Sequence, residues 1–430
     1  MGEKIAVIGA GYVGLTSGAC FAHLGHDVVC ADIDAERVAR LSRGDIHIRE
    51  DRLDHLVREG LAAQRLRFVV GSAGAVTDAD FVCLCVSTPM SDSGAADLSA
   101  LDAVTAEIGP ALRPGTVVMI KSTVPVGTGR RVRENLGRTD VHVVSTPEFL
   151  REGLAVRDFL EPDRIVIGAD EPQVADRVAT LFRRVTAPVV LTDHVSAELT
   201  KYAANAFLAL KLSYINEIAN LCELVGADIG DVARGIGHDP RIGRTHLSPG
   251  PGWGGSCLPK DVRALVHAAE EVGHDFTLLR EAVTVNEHQF AVMADKVRDA
   301  VGGDLSGVKV GALGLAFKAG TNDLRDSPAL AVLDLLAEAG ASIRAYDPAI
   351  AAVDDERITV VADAYAACEG ADVVVVLTEW DDFTRLDLDR IAAVVNRRVL
   401  VDTRNLLDPE PLVRRGFSVV GVGGAGTADR

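Results

Sequence analysis

Residues 250–261 read Gly-Pro-Gly-Trp-Gly-Gly-Ser-Cys-Leu-Pro-Lys-Asp, a cysteine in a glycine-rich loop with a proline, a lysine and an acid close behind. Gly250, Gly252, Gly254 and Gly255 permit backbone conformations closed to other residues and put no side chain between the chain and a ligand. Cys257 is then reachable, and Lys260, three residues on, favours the thiolate, the form that attacks carbonyl carbons. The competing reading is an inert thiol in a turn. It sits badly with the adjacent Lys260 and Asp261, because burying either charge is unfavourable.

A second cluster falls on a proline-free helical pattern from Ser196 to Val225. Lys201 and Asn205 are four residues apart, so they share one face and can address one oxygen, the lysine with charge and the amide with a directional hydrogen bond. Ala203, Ala204, Phe207 and Leu208 make the surrounding helix apolar, which favours a covered functional pair over a solvated one. Three apolar runs, Ala79–Val86, Thr116–Lys121 and Val141–Ser145, end in Ser87-Thr88-Pro89, in Ser122-Thr123-Val124-Pro125 and in the stretch Thr146 to Gly153. Ligands of parallel sheets collect beyond strand carboxyl ends, so Thr88 is a candidate cofactor contact. Glu148 and Glu152 are acid/base candidates, with helix capping as the alternative. Cys83 and Cys85, inside a strand, read as core.

These groups need scaffolds, and the first is plain. Lys4 to Gly9 is a buried-strand pattern leading into Gly9-Ala10-Gly11-Tyr12-Val13-Gly14; a helix over about 13–24, a stop at Gly25 and a strand from Asp27 to Ala31 deliver Asp32. Strand, glycine turn, helix, strand and acid together predict a dinucleotide site, with the pyrophosphate at the helix N-terminus and Asp32 on the ribose, favouring NAD over NADP. Arg37 reads as a 2′-phosphate ligand, as a group over the adenine, or as part of a solvated helix face opened by Asp34. The arrangement recurs near the other end: Val308–Leu313, a helix near 328–339, Gly340, and Ile343–Tyr346 running into Asp347, with Ala371–Thr378 mirroring the strand that ends at Thr88. There the loop 316–327 replaces the compact glycine turn. Lys318 and Arg325 on it, and Arg404 after the strand that starts at Val399, are expected to meet another anion.

Residues 226–249 read as a polar connection, helices resume near Val262 and run to Val301, and the tail after Gly421 is expected to be loose. The predicted class is α/β: two Rossmann-like doubly wound domains, 1–194 and 302–430, joined by a central helical domain, 195–301, whose long helix suits dimerisation. At 430 residues the chain exceeds what one core supports. Its 44 Lys plus Arg against 62 Asp plus Glu, a net charge of −18, argue against nucleic acid and anionic membranes as partners. Seven scattered cysteines without zinc spacing predict no metal and a reducing cytoplasm. No run of 18 apolar residues and no leader pattern occur, so neither a membrane span nor export is expected.

In this order GAGYVG, STVP, PEFLREG, KYAANAF, GGSCLPKD and FKAGTNDLRDSP resemble the UDP-glucose/GDP-mannose dehydrogenase family along essentially the whole chain. The resemblance implies a nucleotide-sugar 6-dehydrogenase that uses NAD in the first domain, holds the substrate's nucleotide in the third, and forms a homodimer through the long helix. It implies Cys257 as nucleophile, Lys201 and Asn205 at the sugar C6 oxygen, Asp261 as an aid to water activation, and Thr123, Glu148 and Glu152 as water-binding and acid/base groups. Gly9, Gly11, Tyr12, Val13, Gly14, Asp32, Arg37, Thr88, Thr123, Glu152, Lys260 and Arg325 would meet the cofactor, Lys260 and Arg325 from across the cleft. Substrate contacts would come from Glu148, Phe149, Leu150, Arg151 and Glu152, from Lys201, Asn205 and Arg241, from His246, Leu247, Ser248, Pro249, Gly250 and Gly254, and from Lys318 and Arg404. Arg241-Ile242-Gly243 and Pro249 to Trp253 resemble the UDP-glucose branch, in which the arginine reaches a neighbouring subunit's sugar. Trp253, where phenylalanine is usual, and Ser87 depart slightly from the pattern. GDP-mannose or a UDP-N-acetylhexosamine is the nearest alternative substrate. A hydroxyacid-type dehydrogenase would also use a lysine and an asparagine, but would carry out one oxidation without a cysteine.

Overall fold

A computed structural model describes residues 2–91 and 94–424. Contacts divide the chain into two units, residues 1–204 with 263–274, and residues 205–262 with 275–430. In the first unit the strands are β1 (Lys4–Ile8), β2 (Asp27–Asp32), β3 (Leu66–Val70), β4 (Phe81–Leu84), β5 (Val117–Ile120), β6 (His142–Ser145), β7 (Ile165–Gly168) and β8 (Val189–Thr192). They lie in the order β3-β2-β1-β4-β5-β6-β7-β8, parallel except for the antiparallel contact of β6 with β7. Along β1, Ile5 and Val7 enter one core while Ala6 and Ile8 enter the core on the opposite face. Side chains alternate across a strand, so a continuous apolar run is what a sheet covered on both faces demands. Burial pushes the Cys83 thiol up to about 12, in keeping with its place in the core.

The second unit contains β9 (Lys309–Leu313), β10 (Ser342–Tyr346), β11 (Ile358–Val360), β12 (Val373–Val376), β13 (Val399–Asp402) and β14 (Ser418–Val420), all parallel, in the order β11-β10-β9-β12-β13-β14. This is the strand order of the first six strands of the other sheet, as the internal echo predicts. The helix Thr277–Val301 adds Met293, Ala294 and Val297 to the same core.

The long helix runs from His194 to Val225, two residues earlier than its pattern suggests. Residues 226–249 are not merely a connection: Ile229–Gly237 is a helix whose N-terminus Asp228 caps by accepting from the Asp231 amide. Three glycines within it, at 230, 235 and 237, hide its pattern. The cysteine loop runs directly into a helix at Leu258, with a proline in the first turn where proline is tolerated. Nor are residues 421–424 loose, because Asn405 pairs with both the amide and the carbonyl of Val422, and Gly423 donates to Glu223. The rest of the expected loose tail, 425–430, lies outside the described residues. No helix among the described residues is long and apolar enough to cross a membrane.

Candidate active site

The three glycines of the first turn answer to different constraints. A Cβ on Gly9, whose φ is +95°, would stand 2.7 Å from the Cys85 carbonyl oxygen, and one on Gly14 would stand 1.7 Å from that of Gly9. Those two are fixed by conformation and by close helix–strand packing. Gly11, with φ −73°, caps the helix α1 (Tyr12–His23), and a Cβ there would meet nothing within 4 Å. Neither strain nor packing requires Gly11, so the space it leaves at a helix N-terminus fits a pyrophosphate.

Asp32 ends β2 almost buried. Its Oδ2 accepts from the Ala10 amide at 2.8 Å and from Arg37 Nη1 at 3.0 Å, and its Oδ1 from the Asp34 amide at 3.0 Å. Burial raises its carboxyl, but these donors outweigh burial and hold it below the ordinary carboxylate range. Arg37 is thus partnered with the ribose-binding candidate. Thr88 donates to the Thr123 carbonyl at 2.8 Å, joining two of the strand ends.

Beyond β6, Glu148 is buried, with Oε1 3.0 Å from Lys201 Nζ and Oε2 accepting from the Leu150 amide at 2.6 Å. The Lys201 ammonium is 5.4 Å from the centre of the Phe149 ring. Arg151 is turned onto Asp158, and Glu152 beside it is half-buried. Sequence reasoning missed the groups that hold this region. Glu198, buried on the long helix, accepts from the Gly127 and Gly129 amides at 2.7 Å each and from Ser145 Oγ at 3.0 Å. It thereby ties the helix to the turn after Thr123. Burial pushes Glu198 up and His194, hydrogen-bonded to the same Ser145, down.

In the second unit the cysteine loop is fastened by amide side chains. Gly250 donates to Asn216 Oδ1 at 2.9 Å, and its carbonyl accepts from Gln289 Nε2 at 2.9 Å. Asn286 pairs with both the amide and the carbonyl of Trp253, at 2.7 and 2.9 Å, while the Trp253 indole donates to Ser213 Oγ at 2.9 Å. The Gly255 amide donates to the Arg325 carbonyl at 3.1 Å. A Cβ on Gly254 would stand 1.9 Å from the Asp326 carbonyl oxygen, so only glycine fits.

Cys257 comes out of this loop partly exposed, and its carbonyl takes the first bond of the helix Leu258–Glu271, from the Asp261 amide at 2.9 Å. A thiol at the cap of a helix sits in the positive end of its dipole, which favours the thiolate. Asp261 is fully buried: Oδ2 accepts from Asn205 Nδ2 and Oδ1 from Lys260 Nζ, both at 2.6 Å. The Lys260 ammonium is therefore committed to Asp261 in this state.

On the same unit Arg404 donates from Nε to the Leu377 carbonyl at 2.9 Å and from Nη2 to that of Phe317 at 3.2 Å. Its Nη1 lies 3.3 Å from where a Gly250 side chain would begin, so the structure brings Gly250, Phe317 and Arg404 together. Lys318 is 5.6 Å from the Phe317 ring centre. Leu247 is buried and His246 takes φ +61° just before Gly250. Arg325 and Arg241 are exposed, paired with Asp323 and Asp239 respectively. Among the described residues no group of three or more side chains suits a metal ion.

The chain matches three domains of the UDP-glucose/GDP-mannose dehydrogenase family: the NAD binding domain over residues 3–186, the central domain over 195–288 and the UDP binding domain over 311–409. It is 46% identical to a UDP-glucose 6-dehydrogenase of Rhizobium meliloti, covering 98% of this chain and 99% of that one. A solved UDP-glucose dehydrogenase from Pyrobaculum islandicum superposes with a TM-score of 0.90 at 36% identity, over 100% of this chain and 98% of the other. A UDP-D-ManNAc dehydrogenase from Pyrococcus horikoshii gives 0.87 at 29% identity, over 99% of this chain and all of the other.

Proposed function

The chain belongs to the UDP-glucose/GDP-mannose dehydrogenase family, and we propose that it oxidises UDP-glucose to UDP-glucuronate with NAD. What supports this most is Cys257, a partly exposed thiol at a helix cap in a loop whose backbone the side chains of Asn216, Asn286 and Gln289 hold. Turning a primary alcohol into an acid removes four electrons. NAD+, when bound, accepts a hydride, so each sugar uses the cofactor twice. The Gly9–Gly14 turn and Asp32 would hold it, with Tyr12, Val13, Arg37, Thr88, Lys260 and Arg325 as further contacts.

The first oxidation gives an aldehyde, which the Cys257 thiolate attacks to form a thiohemiacetal. The second oxidation leaves a thioester, and water releases the carboxylate and the free thiol. Lys201 and Asn205 stabilise the oxyanion in the addition steps. Glu148, Glu152, Thr123 and Asp261 bind the water and move its proton. Lys318, Arg404 and the stretch His246–Gly250 bind the UDP. In this scheme residues 1–194, 195–301 and 302–430 act as cofactor, central and UDP-sugar domains, a division the three matched segments support.

We also assign a homodimer through the long helix. Phe207, Tyr214 and Leu221, 61%, 57% and 51% exposed and seven residues apart, form an apolar stripe that a second copy would cover. Seven scattered cysteines without zinc spacing suit a reducing cytoplasm. The test is NADH release with a panel of UDP- and GDP-sugars. UDP-glucose should give two NADH and one UDP-glucuronate, and Cys257→Ala should form no UDP-glucuronate. Normal turnover by that variant would sink the covalent route, and one NADH per sugar would favour a hydroxyacid-type oxidation.

A further inference from the structure

Glu50 is a buried carboxylate that the chemistry above leaves unused. It is 8% exposed; its Oε2 accepts from the Gly153 amide at 2.7 Å and its Oε1 from the Ala155 amide at 2.8 Å. Tyr12 donates its hydroxyl to the same Oε2, and the Gly153 amide also reaches the Tyr12 oxygen at 2.8 Å. Three segments distant in sequence thus close on one another: the start of α1, Glu50, and the end of the loop that carries Glu148 and Glu152. Burial pushes Glu50 and Tyr12 both up, Glu50 despite its amide donors.

A carboxylate capping the short helix Ala155–Leu160 would need no tyrosine. Tyr12 makes the difference, because it is the first residue of α1, directly after Gly11. Its backbone N–H is among those a helix N-terminus leaves unsatisfied, so an anion beside Gly11 meets the main chain of the residue whose side chain holds the loop.

We infer that Tyr12 and Glu50 form a brace that sets the position of Glu148 and Glu152 from the glycine turn, which makes both positioning residues for the oxidation. This rests on the acid/base reading of that loop. Dinucleotide binding and the placement of the two carboxylates are coupled through one tyrosine.

The test compares Tyr12→Phe, Glu50→Gln, the double variant and Glu50→Asp in the full-length enzyme, each checked for folding by thermal melt. Both single variants should lose about tenfold or more in kcat, and Glu50→Gln, at a residue that meets neither ligand, should keep the Kd for NAD+ and the KM for UDP-glucose within about threefold. The double variant should be no slower than the slower single, because the two residues act as a unit, and Glu50→Asp should recover part of kcat. Hydrogen exchange gives a readout independent of turnover: NAD+ should raise the protection of the 148–156 amides in the wild type, and less in Tyr12→Phe. Additive losses, a loss of NAD+ affinity in step with kcat in Glu50→Gln, or equal protection in wild type and Tyr12→Phe would overturn the brace. If UDP-glucose were not the substrate, the exchange result would still decide. If Glu50→Gln does not fold, Tyr12→Phe alone carries the test.

Discussion

The two sheets share the order of their first six strands, all parallel, and much of their hydrogen bonding, and differ where a ligand would sit. Gly9 donates to the Ala31 carbonyl and Gly314 to that of Tyr346, each at 2.8 Å. The next residue in each copy, Ala10 or Leu315, donates at 2.8 Å to the aspartate ending the second strand, Asp32 or Asp347. Both glycines take a left-handed φ, +95° and +104°, against a wall about as close. Then the copies part. The first begins its helix at Tyr12, leaving the open space by Gly11; the second reaches a helix only at Pro328. In the second copy Asp347 also accepts from Ala316, Trp380 Nε1 and Ala349, so protein donors fill the acid that its counterpart would offer to a ribose. The first glycine and the acid therefore belong to the fold; only the second glycine, and what the acid's remaining lone pairs face, separate a dinucleotide site from a braced loop.

The largest difference between the two copies lies at the turn itself. Gly11→Val puts a side chain where the apo protein has room, so it should raise the Kd for NAD+ about 100-fold, roughly 2.8 kcal/mol. Its melting temperature should move by less than about 3 °C. A calorimetric titration beside a thermal scan checks both, and a collapse in stability would show that Gly11 is structural after all.

The aspartates should exchange symptoms. Asp347→Ala strands several buried donors, so the protein should lose about 3 kcal/mol of stability in denaturant titration. Asp32→Ala should leave stability closer to wild type but weaken NAD about tenfold and narrow the preference over NADP. Equal stability losses would mean that the two acids do the same work.

The smallest effect is in pH. Asp32 is held below its ordinary value of 3.8. A carboxylate with a depressed folded pKa contributes stability above its unfolded pKa and loses it as pH falls through the lower folded one. The Asp32 contribution to cofactor binding should therefore be constant from neutral pH down to about 5, fading only below the ordinary carboxylate range. A difference in NAD affinity between wild type and Asp32→Asn that shrank already at pH 6 would contradict this.

The parts of the molecule legible in the sequence are those whose signal is local. Strand runs, the glycine turn, Asp32 eighteen residues beyond Gly14, the Lys201/Asn205 spacing and the Cys257 loop each declare themselves within a few turns of chain. What escaped is long-range. Asn286 and Gln289 grip the cysteine loop from 33 and 39 residues away, and Glu50 reaches Gly153 across 103. An amide or acid on an amphipathic helix or a loop looks like any solvated residue until its partner is known. Lys260 reads as the cation beside the thiol, and its ammonium donates to the buried Asp261.

The anchoring of Trp253 through Ser213 and Asn286 has a spectroscopic consequence. The chain has two tryptophans, Trp253 four residues before Cys257 and Trp380 on the Asp347 carboxylate, and none in the first unit. Tryptophan emission thus has no source in the first unit. With Trp380→Phe in hand, the remaining indole reports on the cysteine loop alone, a built-in optical probe of what that loop does when a ligand arrives.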